Sequence, residues 1–242
     1  MNALDTEFHR LYLVDDPTAV APSLMTVDGR VRAMVLELAR PAEWLVVSTV
    51  WQGVQSDLNL PAPAIAVTGN DGYQLWFSLA EPVTAAEASF FLESLRQRYL
   101  GKLLRERISM WPTETRHAQL LPALQPGTGL WSAFVAPDLA AIFADSPGLD
   151  VSPRVEAQAK ILAPLESIKP AVFEAIFDRV ISDAERSSAG NPTGNPPGQS
   201  IVPTAPQVAH TDAKRFLTEV MGDPRVDMHL RIEAAKALLP YA

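Results

Sequence analysis

Hydrophobic periodicity changes several times along the first 180 residues, and each change marks an element. The run VRAMVLELA, Val31 to Ala39, is apolar at most positions and predicts a strand. It follows Val27-Asp28-Gly29-Arg30, where Asp28-Gly29 supplies the positive φ angles of a tight hairpin turn. After Pro41, the residues Trp44, Val47, Trp51, Val54 and Leu58 recur at helical spacing, and Pro61 and Pro63 close that helix. Ala64–Val67 and Tyr73–Leu79 read as strands around the turn Gly69-Asn70-Asp71-Gly72. Thr84 with Glu87 then forms a capping box ahead of Ala88, Phe91, Leu95 and Tyr99, with Gly101 as the stop. Arg107–Trp111 and Trp131–Val135 predict short strands, the second after the turn Pro126-Gly127-Thr128-Gly129. Pro137–Asp145, Pro153–Leu165 and the segment opened by Lys169-Pro170, carrying Phe173, Ile176, Phe177 and Val180, predict helices.

The pattern stops at residues 187–211. That stretch contains no Asp, Glu, Lys or Arg and is rich in Pro, Gly, Ser and Asn, the composition of a linker. Beyond it, Phe216, Leu217, Val220 and Met221 form one short apolar helix face, Gly222-Asp223-Pro224 closes it, and Leu230, Ala234, Leu238 and Leu239 form a second. Four parts follow: an α/β core over 1–150, a helical extension over 151–186, the linker over 187–211 and a helical pair over 212–242. The expected class is α+β, a mixed sheet flanked by helices. A thirty-residue helical pair hardly stabilises itself, so residues 212–242 are expected to dock on a partner protein, on another copy or on the core.

Charge sharpens this division. The 242 residues carry 28 acids and 20 bases, a net charge of −8. Residues 212–242 hold five of each sign, so the whole excess belongs to residues 1–186. Nucleic acid held by bulk charge is thereby disfavoured, although a local basic groove is not. Cysteine is absent, which removes disulfides, thiol nucleophiles and zinc-thiolate sites. The opening MNALDTEFHR lacks the basic and apolar regions of a secretory signal, and no apolar run approaches 18 residues. The expectation is a cytoplasmic protein without membrane contact.

The order strand, helix, strand, Gly-rich turn, strand, capped helix, centred on AIAVTGNDGYQLWFSLAEPVTAAEA, resembles the second motif of the archaeo-eukaryotic primase superfamily. That superfamily includes primase-polymerases and the polymerase domain of bacterial end-joining ligases. LLPALQPGTGLWSAFVAPDLAAIF resembles the region after its third motif, and the likeness spans roughly residues 24–145. The resemblance implies a strand with two acids one residue apart, which hold divalent metals for nucleotidyl transfer. Here Glu37 keeps one carboxylate and Ala39 replaces the other. The triphosphate-contacting His of the family is Gln74, its Arg before Pro is Leu120, and its turn Lys is Gly127. No acid follows in RISMWPTETR until Glu114. The resemblance therefore implies a degenerate primase-polymerase core that has lost catalysis, with no cofactor and no metal. The run RIEAAKALLPYA resembles a helical stretch of phage terminase small subunits, which implies a mobile-element context.

Other chemistries find little footing. His9, His117, His210 and His229 lack partners at metal spacing, and there is no Gly-x-Ser-x-Gly, Walker A loop or dinucleotide fingerprint. The acids ending LYLVDD, Asp15 and Asp16, point to opposite faces of a strand, so a strand end before the turn at Pro17 is the better reading. The Gly69–Gly72 turn could offer N–H groups to an anion, but Asp71 works against that, and a plain strand connection is favoured. Trp44 and Trp51 share one helix face and belong to the core. Tyr73 and Trp76 point to opposite faces, which leaves one of them able to stack a base. Arg96, Arg98, Lys102, Arg105, Arg107 and Arg116 could form a basic patch, with a solvated helix face balanced by Glu93 and Glu106 as the favoured reading.

Together these point to a non-catalytic, nucleic-acid- or replication-associated accessory protein, with single-stranded nucleic acid as its candidate partner. Its candidate contacts are Glu37, Thr68, Asn70, Tyr73, Gln74, Arg98, Lys102, Arg116 and His117. Two alternatives stand beside it: an adaptor using the acidic domain and residues 212–242, and an enzyme whose altered site still handles a nucleotide through Glu37, Gln74, Arg116 or His117.

Overall fold

A computed structural model describes residues 2–15 and 23–177. Asp16, the linker and the helical tail lie outside the described residues, as does the last part of the helical extension. In chain order the elements are α1 (Ala3–Leu11), β1 (Arg30–Ala39), α2 (Trp44–Ser56), β2 (Ala64–Val67), β3 (Gly72–Thr84), α3 (Ala85–Leu100), β4 (Ile108–Trp111), β5 (Ala123–Leu124), β6 (Trp131–Val135) and α4 (Val155–Leu162). Residues 170–177 are also helical. The class is α+β, as the sequence pattern predicts. Six strands form one sheet in the order β4-β1-β3-β2-β6-β5, with antiparallel ladders and one parallel bridge, Leu79 to Ile168.

Period-two alternation sorts the side chains between two cores. On one face Met34, Leu36, Leu38, Ile65, Val67, Tyr73, Leu75 and Phe77 pack against Val47, Val50 and Val54 of α2 and Phe91, Leu92 and Leu95 of α3. On the other, Ala33, Val35, Ala64, Ala66, Trp76 and Phe134 pack against Leu4, Phe8 and Leu11 of α1 and Ala159 and Leu162 of α4. The capping box of α3 forms as expected: Thr84 accepts from the Glu87 N–H, and the Glu87 carboxylate accepts from the Thr84 N–H.

Two arginines tie the second layer to the sheet. Between Val31 and Ala33 the β1–β3 register slips, because β3 bulges over Leu79–Pro82. The Arg32 guanidinium fills the gap, donating to the carbonyls of Leu79, His9, Arg10 and Leu13. Three of those carbonyls belong to the open C-terminal end of α1 and its continuation. Arg10, on α1, repeats the device by donating to the carbonyls of Leu162, Ala163 and Leu165 at the end of α4. On α4, Gln158 accepts from the Phe134 N–H and donates to the Phe134 carbonyl, satisfying a stretch of β6 that β5 does not reach.

Several expectations need correction. The N-terminal run is a helix over Ala3–Leu11, opened by an Asn2–Asp5 capping box, and only Val14 beyond it forms a bridge, to Ser23. Pro41 precedes α2 instead of opening it; the cap is Glu43, because Arg107 draws the Ala39 and Pro41 carbonyls away from any helix ladder. The helix expected over Pro137–Asp145 contracts to a 3-10 turn, Ala140–Phe143, whose Ala140 carbonyl accepts from Tyr73 Oη. Tyr73 and Trp76 do face opposite sides, but both are fully buried, so neither is exposed to stack a base.

Replacing Arg32 by Met is expected to lower unfolding free energy by about 2–4 kcal/mol, since four carbonyls, three of them in partly buried bonds, lose a charged donor at once. Arg116→Met, at an exposed position, should change it by less than about 0.5 kcal/mol. Urea titrations of the two variants check this, and equal effects would contradict the tying role of Arg32.

Candidate functional site

The layer formed by α1 and α4 covers only one end of its sheet face. At the other end, one row of side chains crosses four strands: Ser109 of β4 opposite Glu37 of β1, Glu37 opposite Gln74 of β3, and Gln74 opposite Ala66 of β2. Above this row lies a cleft of about 220 Å³. Its floor is Glu37, Gln74, Thr68 and Ser132, its mouth carries Asn70, Asp71, Gln119 and Gln125, and Trp111, Ala118 and Leu121 form the remaining wall.

The floor is held by directional bonds. Trp76 Nε1 donates to Gln74 Oε1 at 2.9 Å, and Gln74 Nε2 donates to Glu37 Oε2 at 2.7 Å. Because an indole N–H can only donate, the atom facing it must be the amide oxygen, which fixes the nitrogen toward Glu37. Burial raises the Glu37 pKa above the ordinary carboxylate value; the Gln74 hydrogen bond opposes the rise and the charge of Asp71 adds to it. Ala39 stands two residues along the same strand face, opposite Gly72, and offers no ligand atom.

The mouth is built by two Gly-rich turns. Gly69 has φ of +75°, and a Cβ there would lie 2.7 Å from Gln125 Cγ and 2.9 Å from the Ser132 backbone nitrogen. Thr68 Oγ1 accepts from the N–H groups of Asn70 and Gly72, closing the first turn. In the second turn Gly129 has φ of +72°, and Thr128 Oγ1 donates to the Gly69 carbonyl, joining the two. The amides of Asn70, Gln119 and Gln125 meet only at 3.4–3.5 Å, so their hydrogen-bonding capacity is largely unspent.

The sequence candidates divide accordingly. Glu37, Thr68, Asn70 and Gln74 come together in the cleft. Tyr73 is buried under the opposite face, where its hydroxyl donates to the Ala140 carbonyl. Arg98 sits on α3, also on that opposite side, and pairs with Asp57 at 3.5 Å; Lys102 follows that helix and is exposed. Arg96 and Arg105 both pair with Glu93, and Arg107 with Glu43. The helix face is thus largely balanced by acids, although Asp57 and Glu43 supplement Glu93 where Glu106 was expected. Arg116 is exposed at the start of the segment whose Ala118, Gln119 and Leu121 line the cleft. His117 is structural: Nδ1 accepts from the Ala118 N–H, so Nε2 carries the hydrogen and donates to the Ala33 carbonyl at 3.0 Å. Burial holds its pKa down to about 4.

Asp71, Trp111, Gln119, Gln125 and Ser132 line the cleft without having been singled out for it. Alternation along Trp131–Val135 could have placed Ser132 on the Phe134 side. Gln125 reaches the cleft only through the approach of two turns distant in sequence. Among the described residues no group of three or more His, Asp or Glu could hold a metal ion, and no helix is long and apolar enough to cross a membrane.

The two buried titrating groups act oppositely on stability. His117 is held neutral, so its contribution is full above about pH 6.5 and is lost as pH falls from there toward 4, by roughly 3 kcal/mol. Replacing His117 by Asn should remove that acid-limb slope in thermal melts. Glu37 holds its proton to higher pH in the folded chain, so stability declines as pH rises through its raised value. Glu37→Gln should therefore leave Tm at pH 7 unchanged or higher, and a fall of several degrees would contradict this account of the pair.

No family model matches the chain, and no curated protein matches it. Among solved structures, the polymerase domain of Mycobacterium tuberculosis Ligase D in complex with DNA is similar, with 14% sequence identity and a TM-score of 0.31. The match covers 76% of this chain and 62% of that one, so this chain spans less than two thirds of the neighbour's length.

Proposed function

We propose that this chain is a nucleic-acid-associated accessory protein that carries out no nucleotidyl transfer. The observation that carries the reading is the cleft on the sheet: one partly buried carboxylate on its floor, amides and hydroxyls around it, and no lysine or arginine among the described residues of its lining. Transfer of a nucleotidyl group calls for carboxylates that jointly hold divalent metals and for cations that neutralise the triphosphate. With Ala39 beside Glu37 and Gly127 in the outer turn, the described residues bring neither set together at the cleft, which supports the reading. Asp71, exposed at the mouth, adds repulsion toward phosphate.

Association with nucleic acid is supported by the motif order from residue 24 to 145. It is supported further by the meeting of Glu37 and Gln74 in one cleft, with Ala39 two residues along the same strand face, opposite Gly72 and outside the lining. The strand backbone then meets exposed cations outside the cleft, and Arg116, on the segment that supplies one cleft wall, is the favoured contact. Arg98 is less suited, being paired with Asp57 on the far side of the sheet.

Fluorescence anisotropy with a labelled single-stranded oligonucleotide tests the reading. Binding is expected at low salt and should weaken as salt rises. Arg116→Glu should reduce affinity several-fold and Arg98→Glu little. Absence of binding at low salt would replace this reading with the partner-docking adaptor, and metal-dependent nucleotide incorporation would replace it with an enzyme.

A further inference from the structure

We infer that the cleft binds a single uncharged nucleobase, as a nucleoside or as one base of a strand, and gains nothing from a triphosphate. This rests on the nucleic-acid reading and names what part of the nucleic acid the cleft takes.

Size sets the first limit. About 220 Å³ falls below the roughly 300–1,000 Å³ of sites for drug-sized ligands, leaving room for one planar heterocycle. Hydrogen bonding sets the second. Trp76 fixes the Gln74 amide, and Gln74 Nε2 spends one of its two hydrogens on Glu37 Oε2. One amide hydrogen remains, and Glu37 Oε1 accepts from no described residue. The floor therefore offers a donor beside an acceptor on side chains whose orientation is already fixed. The Watson–Crick edge of every nucleobase carries such a pair, for example the amino group and ring nitrogen of adenine or cytosine. Asn70 and Gln125 at the mouth hold further donors and acceptors in long, replaceable bonds.

Charge sets the third limit. Glu37 and Asp71 are the ionisable groups among the described residues of the lining, so a base enters without electrostatic cost, whereas a phosphate meets like charge and no clamp from those residues. The strand's phosphates remain outside, toward Arg116. Trp111 forms part of the wall, where an indole can contact a ring.

Calorimetric titration of the full chain with adenosine, cytidine and uridine, and with each 5′-triphosphate with and without magnesium, tests this. Nucleosides should bind, and triphosphates should bind no more tightly in either condition. Glu37→Gln keeps the volume and one bond to Gln74 but replaces the free acceptor with a donor. It should weaken nucleoside binding by about 10-fold or more, the loss expected for one hydrogen bond to a charged group. Tighter binding of triphosphates, or unchanged affinity in Glu37→Gln, would overturn the inference. A paired titration separates it from the reading beneath it, using a single-stranded oligonucleotide and the same strand built of abasic sites. Preference for the strand with bases supports the inference. Equal binding overturns the inference and leaves the nucleic-acid reading standing, and binding of neither strand overturns both.

Discussion

The antiparallel register of β1 against β3 is the constraint on which the rest depends. It sets Glu37 opposite Gln74 and Val35 opposite Trp76, so the polar pair and the apolar core lie along one sheet face in successive rows. A slip of one residue would send Glu37 and Gln74 into the packing against α2 and α3, at the cost of burying an unpaired carboxylate. The β3 bulge over Leu79–Pro82 ends the regular pairing just beyond Ser78, and Arg32 turns the resulting gap into an anchor for α1. Arg10 passes the anchor on to α4. The cleft exists because that second layer, tied at one end, leaves the other end of the face uncovered.

Within the cleft, a tryptophan N–H orients an amide, and the amide orients a carboxylate. Each link is directional, which gives the Glu37–Gln74 pair a defined pattern of one donor and one acceptor without any metal or cation to organise it. The same network explains why Glu37 can be partly buried: its charge is met by one hydrogen bond, while burial and Asp71 oppose it. Such a site suits a neutral polar ligand better than a polyanion.

Much of the scaffold was legible from local chemistry. The α3 capping box, the strand Trp131–Val135 and the Gly-rich turns rest on residues adjacent in sequence, and each forms where periodicity places it. Glu37 and Gln74 were legible because each lies on a strand whose alternation fixes its face. What could not be read came from distant partners. Tyr73 is hidden by the 3-10 turn at Ala140, His117 is consumed by the backbone of β1, and Gln125 reaches the cleft because Gly69 lets two turns touch. Ser132 and Asp71 carry no motif, and only the assembled sheet brings them to the same opening.

Side-chain NMR tests most directly whether this opening meets a base. Amide and indole resonances of the full chain can be followed while a short single-stranded oligonucleotide is added. The side-chain amides of Gln74, Asn70 and Gln125 and the Trp111 indole are expected to shift together, with Gln97 on α3 unmoved. Shifts confined to α3, or an unmoved Gln74 when the strand is bound, would contradict it.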